Sequence, residues 1–278
     1  MPFGSEVALT PGLNRFERWY IQLLGAPILG LRIRANAILA LLQSVGTPQR
    51  IADAGSGRGV ITLECARRFA QAEVVGLDLN EAQCRINGAV AQQLGLTNVR
   101  FACADVMRLG EFGQFDLILS SDNLEHLEDD LGCARVFWQA LHPGGYLLVH
   151  VPHLTRNLFG WHRTNWMDIE GHVRPGYSRD GLLALLGRAG FETVDCRYNY
   201  NSLETLANDL SYLITGGRER HRQLYALAFP LLLGLAAVGS LYRPRRDGSG
   251  LVALARRPGS KPPLISNPQS AIRNPQSL

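Results

Sequence analysis

The sequence predicts an α/β fold, a mostly parallel sheet with helices on both faces, from three observations. Between residues 49 and 152, short β-branched runs alternate with helical stretches. The first run ends in a turn carrying Gly55, Gly57 and Gly59 that opens a helix. Two later runs end in an acid, Asp78 and Asp105. Strands that alternate with helices of this length form right-handed βαβ units, which align the strands in parallel.

Taken in order, residues 13–45 read as helical: Asn14 can cap, Glu17 stands three residues on, and 35–45 is rich in helix formers. The apolar run at 21–31 follows Arg15 and Arg18 but has no small-residue cleavage site after it, so no signal peptide is expected. Strands are expected at 50–54, 73–79, 99–104, 115–120 and 146–151, separated by helices at 59–70, 81–95 and 128–141. A loop rich in aromatic and polar residues follows Pro152 as far as Tyr177. Ser178 then caps a helix that Gly190 stops, and 191–200 alternates like a strand. Residues 201–248 hold a helical stretch at 202–215 and an apolar one at 224–242, before a last strand at 250–256. From Pro258 onward the polar Asn-Pro-Gln-Ser repeat at Asn267 and Asn274 has nothing to bury and is expected to be disordered. The organisation is therefore a helical segment (1–48), a main domain (49–257) with an apolar helical insertion (201–248), and a tail (258–278).

Composition narrows the function. With 46% hydrophobic and 19% charged residues in 278, the chain is neither wholly disordered nor a polytopic membrane protein. The net charge of +4 is unevenly placed: 49–152 carries −5, whereas 218–278 carries +8. A nucleic-acid binder spreads its basic face over the binding fold, so nucleic acid is not the expected partner. The basic end points instead to an anionic surface. Five cysteines (Cys65, Cys84, Cys103, Cys133 and Cys196) without a Cys-x-x-Cys pair fit a reducing cytoplasm better than a disulfide framework.

The chemistry concentrates in Ile51-Ala-Asp53-Ala-Gly55-Ser-Gly57-Arg-Gly59. Glycines there let a ligand approach the backbone, and the helix that follows presents unpaired N–H groups. Position 60 is Val where a dinucleotide fingerprint needs a small residue, and Asp53 would sit badly against a pyrophosphate but well against a cationic or hydroxyl-bearing ligand. Asp78 ends the second strand 19 residues after Gly59, where a carboxylate can accept both hydroxyls of a ribose. Asp105 ends the third and can accept from an adenine amino group, or else cap the following turn. The fourth runs into Ser121-Asp-Asn-Leu-Glu125-His126-Leu, and Leu141-His-Pro-Gly-Gly precedes the fifth.

Together these residues resemble the class I S-adenosylmethionine-dependent methyltransferases of the bacterial small-molecule kind. That family has a D-x-G-x-G-x-G loop, acids ending strands two and three, an E-H-L segment after strand four and L-x-P-G-G before strand five. All five stand here in order over residues 49–153. The resemblance implies a Rossmann-like sheet of seven strands, mostly parallel with the last antiparallel, in which 191–200 is strand six and 250–256 strand seven. It implies S-adenosyl-L-methionine as cofactor, held by Asp53, Gly55, Gly57, Gly59, Asp78, Leu79, Asp105, Val106 and Ser121. Methyl transfer to a small-molecule or lipid-linked acceptor follows, expected at a hydroxyl oxygen with His126 or His153 taking the proton. C-methylation of a quinone-like ring and a non-catalytic ligand-binding module of the same fold are the alternatives.

Other titratable groups carry less. Glu125 suits the positive end of a helix, but its place at the C-terminal edge of the sheet, beside the switch point, keeps it a site candidate with His126; His162 and His172 are single loop histidines. Asp168, Glu170 and His172 alternate without a fourth ligand, so no metal is expected. Trp161 and Trp166 read as loop packing. No Gly-x-Ser-x-Gly elbow or Cys–His pair supports hydrolase chemistry. The uncharged run 224–242 is long enough as a helix to cross a bilayer core. Pro230, flanking Arg218, Arg220, Arg222, Arg243, Arg245 and Arg246, and the need to return to the sheet favour a segment lying at an anionic inner leaflet. Its near-unbroken apolarity argues for this over a helix that packs on the sheet edge.

Overall fold

The computed structural model describes residues 2–164, 171–216, 221–242 and 247–259, with 162–164 described in backbone alone. Trp166, Asp168, Glu170, the side chain of His162, the flanking Arg218, Arg220, Arg243, Arg245 and Arg246, and the tail from 260 lie outside the described residues.

The expected helix at 13–45 is two. α1 (Arg15–Leu24) starts on the Asn14–Glu17 capping box and stops at Gly25, whose φ of 80° no helix continues. α2 (Leu29–Leu42) begins after Pro27 and Ile28. The sheet then builds as β1 (Arg50–Ala54), α3 (Val60–Arg68), β2 (Glu73–Asp78), α4 (Glu81–Gln93), β3 (Val99–Cys103), β4 (Phe115–Ser121), α5 (Asp130–Ala140) and β5 (Leu141–Pro152). Asn80, Asp129 and Ser178 accept backbone N–H groups at the starts of α4, α5 and α6 (Arg179–Arg188). The stretch after Pro152, read as a loop, contains a hairpin of β6 (Thr155–Leu158) and β7 (Trp161–Thr164). β8 (Glu192–Asn199), α7 (Ser202–Thr215), α8 (Arg222–Ser240) and β9 (Gly250–Arg256) complete the chain.

Seven strands form one sheet in the order β3-β2-β1-β4-β5-β9-β8; β9 runs antiparallel between β5 and β8, and the other neighbours pair in parallel. Both faces of the central strands are covered, so β1, β4, β5 and β9 are buried along nearly their whole length instead of alternating. Leu117 and Leu119 pack with Ile38, Leu41 and Ile61 from α2 and α3 on one face. Ile118 packs with Phe137 and Leu186 from α5 and α6 on the other.

The insertion is a helical hairpin that joins α1 and α2 in a cap with its own core: Leu29, Ile33, Ala207, Phe229 and Leu232. Asn201 and Glu204 make a capping box that starts α7. Pro230 inside α8 has no N–H to give the carbonyl of Ala226, and the Tyr20 hydroxyl donates to that oxygen instead at 2.6 Å. α8 is apolar all round, as expected, but only one of its faces is covered. Phe229, Leu232, Ala236 and Gly239 are buried against the cap, while Leu224, Leu227, Leu231, Val238 and Leu241 face outward.

Candidate active site

The glycine turn leaves β1 at the point where strand order reverses, since β2 lies on one side of β1 and β4 on the other. Gly55, Gly57 and Gly59 have φ of 84°, 49° and 73°, a region costly for any other residue. Their surroundings differ. A Cβ on Gly59 would stand 2.8 Å from Asn87 and 3.0 Å from Phe101, so this glycine serves packing. A Cβ on Gly57 would meet nothing within 4 Å, so its surface is open for a ligand.

Asp78 accepts the Gly57 N–H at 2.7 Å and the Asn80 N–H at 2.9 Å, latching the turn to the end of β2. Leu79 beside it is exposed. Asp105 accepts the Met107 N–H with one oxygen and caps the turn after β3, whose Val106 is buried. Ser121 ends β4, half-buried. Asp53 is buried beneath the turn, where it accepts the Thr62 hydroxyl at 2.6 Å. Burial, reinforced by the Asp78 charge, pushes its carboxyl up to about 6.

Beside the turn lies a polar chamber of about 250 Å³, lined among others by Arg34, Asp122, Glu125, His126, His150 and His172. Asn123, next to Asp122, stands where a Cβ on Gly55 would be 3.1 Å away, so turn and chamber adjoin. Asp122 (φ 48°) and Tyr200 (φ 56°) both line the chamber in a backbone region that bulky residues avoid; such strain concentrates at functional sites. Asp122 accepts from Arg34 at 2.8 Å and from His150 Nδ1 at 2.6 Å. Burial pushes its carboxyl up, but the Arg34 and His150 charges outweigh that and hold it at about 2. His150 Nε2 lies against the Asn199 side-chain amide, 3.0 Å from its Nδ2 and 3.2 Å from its Oδ1.

Glu125 is 1% exposed. Burial, with Asp122 nearby, holds its carboxyl well above the usual range. Neither of its carboxylate oxygens has a hydrogen-bond partner among the described residues. His126 lines the chamber, its Nδ1 3.0 Å from the Gly171 carbonyl. His153 does not line it: its Nδ1 lies 2.9 Å from the Thr155 carbonyl and its ring packs edge-on against Tyr198.

Gly30, Arg34, Asn208 and Tyr212 line both this chamber and a second cavity of about 380 Å³. That second cavity lies in the cap between α1, α2, α7 and α8, with Leu13, Phe16, Tyr20, Ile21 and Tyr225 in its walls, and it reaches Arg58 of the glycine turn.

Several residues of the chamber escaped the sequence, among them three of its charged or strained groups. Arg34 comes from the N-terminal helices, Tyr200 from the end of β8, and His150 from inside an apolar strand; none carries a local signal. Asp122 stood one residue past Ser121 and was visible as an acid at the end of a strand.

Comparison with known proteins agrees with this architecture. A methyltransferase-domain family model matches residues 51–145. The chain is 41% identical over 103 residues to trans-aconitate 2-methyltransferase of Deinococcus radiodurans, covering 37% of this chain and 38% of that protein. It is 30% identical over 160 residues to the ubiquinone biosynthesis O-methyltransferase of Ruegeria pomeroyi, covering 52% of this chain and 61% of that one. The matches thus span between about two fifths and three fifths of these relatives. Among solved structures, the [4+2]-cyclase SpnF superposes with a TM-score of 0.57 at 22% identity over 81% of each chain. An S-adenosylmethionine-dependent methyltransferase from Mesorhizobium loti does so with 0.52 at 24% identity, over 82% of this chain and all of that one. At these identities the structures speak for the fold alone.

Proposed function

Because the chain carries a class I S-adenosylmethionine-dependent methyltransferase domain, we propose that it transfers a methyl group from S-adenosyl-L-methionine to a hydroxyl oxygen of a small-molecule or lipid-linked acceptor. The observation that carries this reading is the adjacency of an open glycine turn, latched by an acid at the end of β2, to a polar chamber that shares walls with an apolar cavity. The residues present fit the cofactor. Open space over Gly57 admits its methionine and ribose parts, Asp78 keeps lone pairs for the ribose hydroxyls, and Asp105 and Leu79 flank the place for adenine. The buried Asp53 supplies negative charge beneath a cationic ligand.

When bound, the cofactor would supply a methyl group that its sulfonium makes electrophilic, keeping the electrons of the broken carbon–sulfur bond. The chain's own residues have to align the acceptor oxygen's attack, exclude water and take up the hydroxyl proton. The chamber wall of Glu125, His126 and His172 is the place for the last task. His153, away from the chamber, is not carried forward as a base. An oxygen acceptor agrees with the named reaction of the Ruegeria relative.

The apolar cavity suits the non-reacting part of a lipid-linked acceptor, and the outward leucines of α8 with Phe16, Trp19 and Leu23 of α1 form the face that would meet an anionic inner leaflet. Six arginines in 218–246 favour that leaflet.

Calorimetry with S-adenosylhomocysteine on the wild type and Asp78→Ala tests the cofactor half; equal affinity in both, or none in the wild type, rejects it. Incubation with methyl-labelled cofactor and a membrane extract tests the rest. Label in the lipid phase supports the reading, and a protein that binds cofactor without releasing any methyl group is the ligand-binding module instead.

A further inference from the structure

We propose that Glu125, His126 and His172 form a binding site for one divalent first-row transition ion in the wall of the polar chamber. Each offers a ligand atom, and the three atoms lie within 4.8 Å of one another. Four observations point to a cation there.

Glu125 is buried, and both its carboxylate oxygens lack a partner among the described residues, an arrangement whose ionised form is costly unless a positive charge completes it. The guanidiniums nearby are already engaged, Arg34 with Asp122 and Arg174 with Asp130. His126 has its Nδ1 at 3.0 Å from the Gly171 carbonyl; donating there fixes the tautomer and leaves Nε2 with a free lone pair, the usual second-shell arrangement of a metal-binding histidine. Gly171 permits this approach, since a Cβ on it would come within 3.3 Å of that same Nδ1. The His172 ring stands edge-on to His126 with centroids 4.5 Å apart, so two imidazoles converge beside the orphan carboxylate.

Two imidazoles and one carboxylate suit zinc and its neighbours in the first transition row, whereas calcium and magnesium prefer oxygen throughout. Ligand bonds of about 2.0–2.2 Å require the three atoms to draw in by roughly an ångström. Gly171 and His172 lie in the irregular stretch before α6, where such a movement disturbs no helix or strand. Three protein ligands leave a coordination position open, and Glu125, His126 and His172 all face the chamber. Residues 46 positions apart make the triad, so the alternation of Asp168, Glu170 and His172, from which no metal was expected, held the right histidine in the wrong company.

Binding of the ion does not depend on the proposed methyl transfer; its use does. An acceptor hydroxyl on the open position would release its proton to water more readily and present an oxygen lone pair to the methyl group. His126 would then act as a ligand and not as a base.

The test is a Co(II) titration of chelator-stripped protein, read by visible absorption, on the wild type, Glu125→Gln, His172→Ala and His153→Ala. S-adenosylhomocysteine calorimetry on each variant reports the fold and the cofactor side independently. One equivalent of Co(II) should bind to the wild type and to His153→Ala, with affinity lowered about 10–100-fold or more in the other two. No Co(II) bands in the wild type, or equal affinity in Glu125→Gln and His172→Ala, overturns the site. Loss of S-adenosylhomocysteine binding with intact Co(II) bands would count against the cofactor reading and leave the metal site standing.

Discussion

Replacing Asp53 by Asn isolates the electrostatic cost of the acid beneath the glycine turn. The amide oxygen can still accept from the Thr62 hydroxyl, so the change removes ionisation and little else. In the folded protein the carboxyl titrates at about 6, and in the unfolded chain at about 3.9. A raised acid means that folding takes up a proton between these values, so stability falls as pH rises from about 4 to 6 and is level above. The difference of about 2 pH units corresponds to about 3 kcal/mol, with the residue only 2% exposed and little screened. Urea unfolding of wild type and Asp53→Asn across pH 4–8 measures it, because every other titration cancels in the difference. Relative to the wild type, the variant should gain about 3 kcal/mol over that range. Curves parallel to within about 0.5 kcal/mol would refute the claim that this carboxylate is desolvated. If the bound cofactor sets positive charge near Asp53, its binding near pH 6 should also release a proton that the variant does not.

The two glycines should separate stability from affinity. Gly59→Ala meets Asn87 and Phe101 and should destabilise the fold by more than the ~1–2 kcal/mol of its backbone angle, whereas Gly57→Ala should cost only that amount yet weaken cofactor binding; thermal melts and calorimetry on the pair decide. Tyr20→Phe should cost about 1–3 kcal/mol by leaving the Ala226 carbonyl unpaired, but close to nothing in a Pro230→Ala background where the helix supplies its own N–H, so a double-mutant cycle in urea should show coupling. Arg34→Met, which strips Asp122 of its guanidinium but leaves it His150, should destabilise by about 1–3 kcal/mol in chemical denaturation. Glu at Leu227 and Leu231, 78% and 77% exposed, should abolish flotation with anionic liposomes while leaving the melting temperature unchanged; undiminished flotation removes α8 from any membrane contact.

The glycine turn and the strand-end acids were legible because their physics is local. A strand, a turn that needs positive φ and a helix start must follow one another in the chain, and acids at strand ends lie at one edge of a parallel sheet wherever the strands pair. The chamber was legible only where it shares that edge, at Glu125 and His126. His150 and not His153 enters it, and the sequence could not choose between them: β5 is buried on both faces, so no polar–apolar alternation records which side a residue takes. Arg34 and Tyr200 come from elements brought together by the cap, and Asp122 acquires its meaning from them. The hairpin of β6 and β7 was hidden because its four-residue strands are too short for a periodicity to register.

The cap is stitched from the far reaches of the chain. Tyr20 reaches Ala226 across 206 residues, Glu17 meets Arg222 across 205, and Tyr200 donates to Gly30 across 170. Closing such long loops costs chain entropy before any contact returns it, whereas β1, β2 and β4 find partners much nearer in sequence. The cap side of the chamber is therefore expected to form after the sheet and to open before it, an order that native-state hydrogen exchange would read. On that expectation, a ligand held in the chamber would exchange at the rate at which these long-range cap contacts open, while one seated on the glycine turn would not.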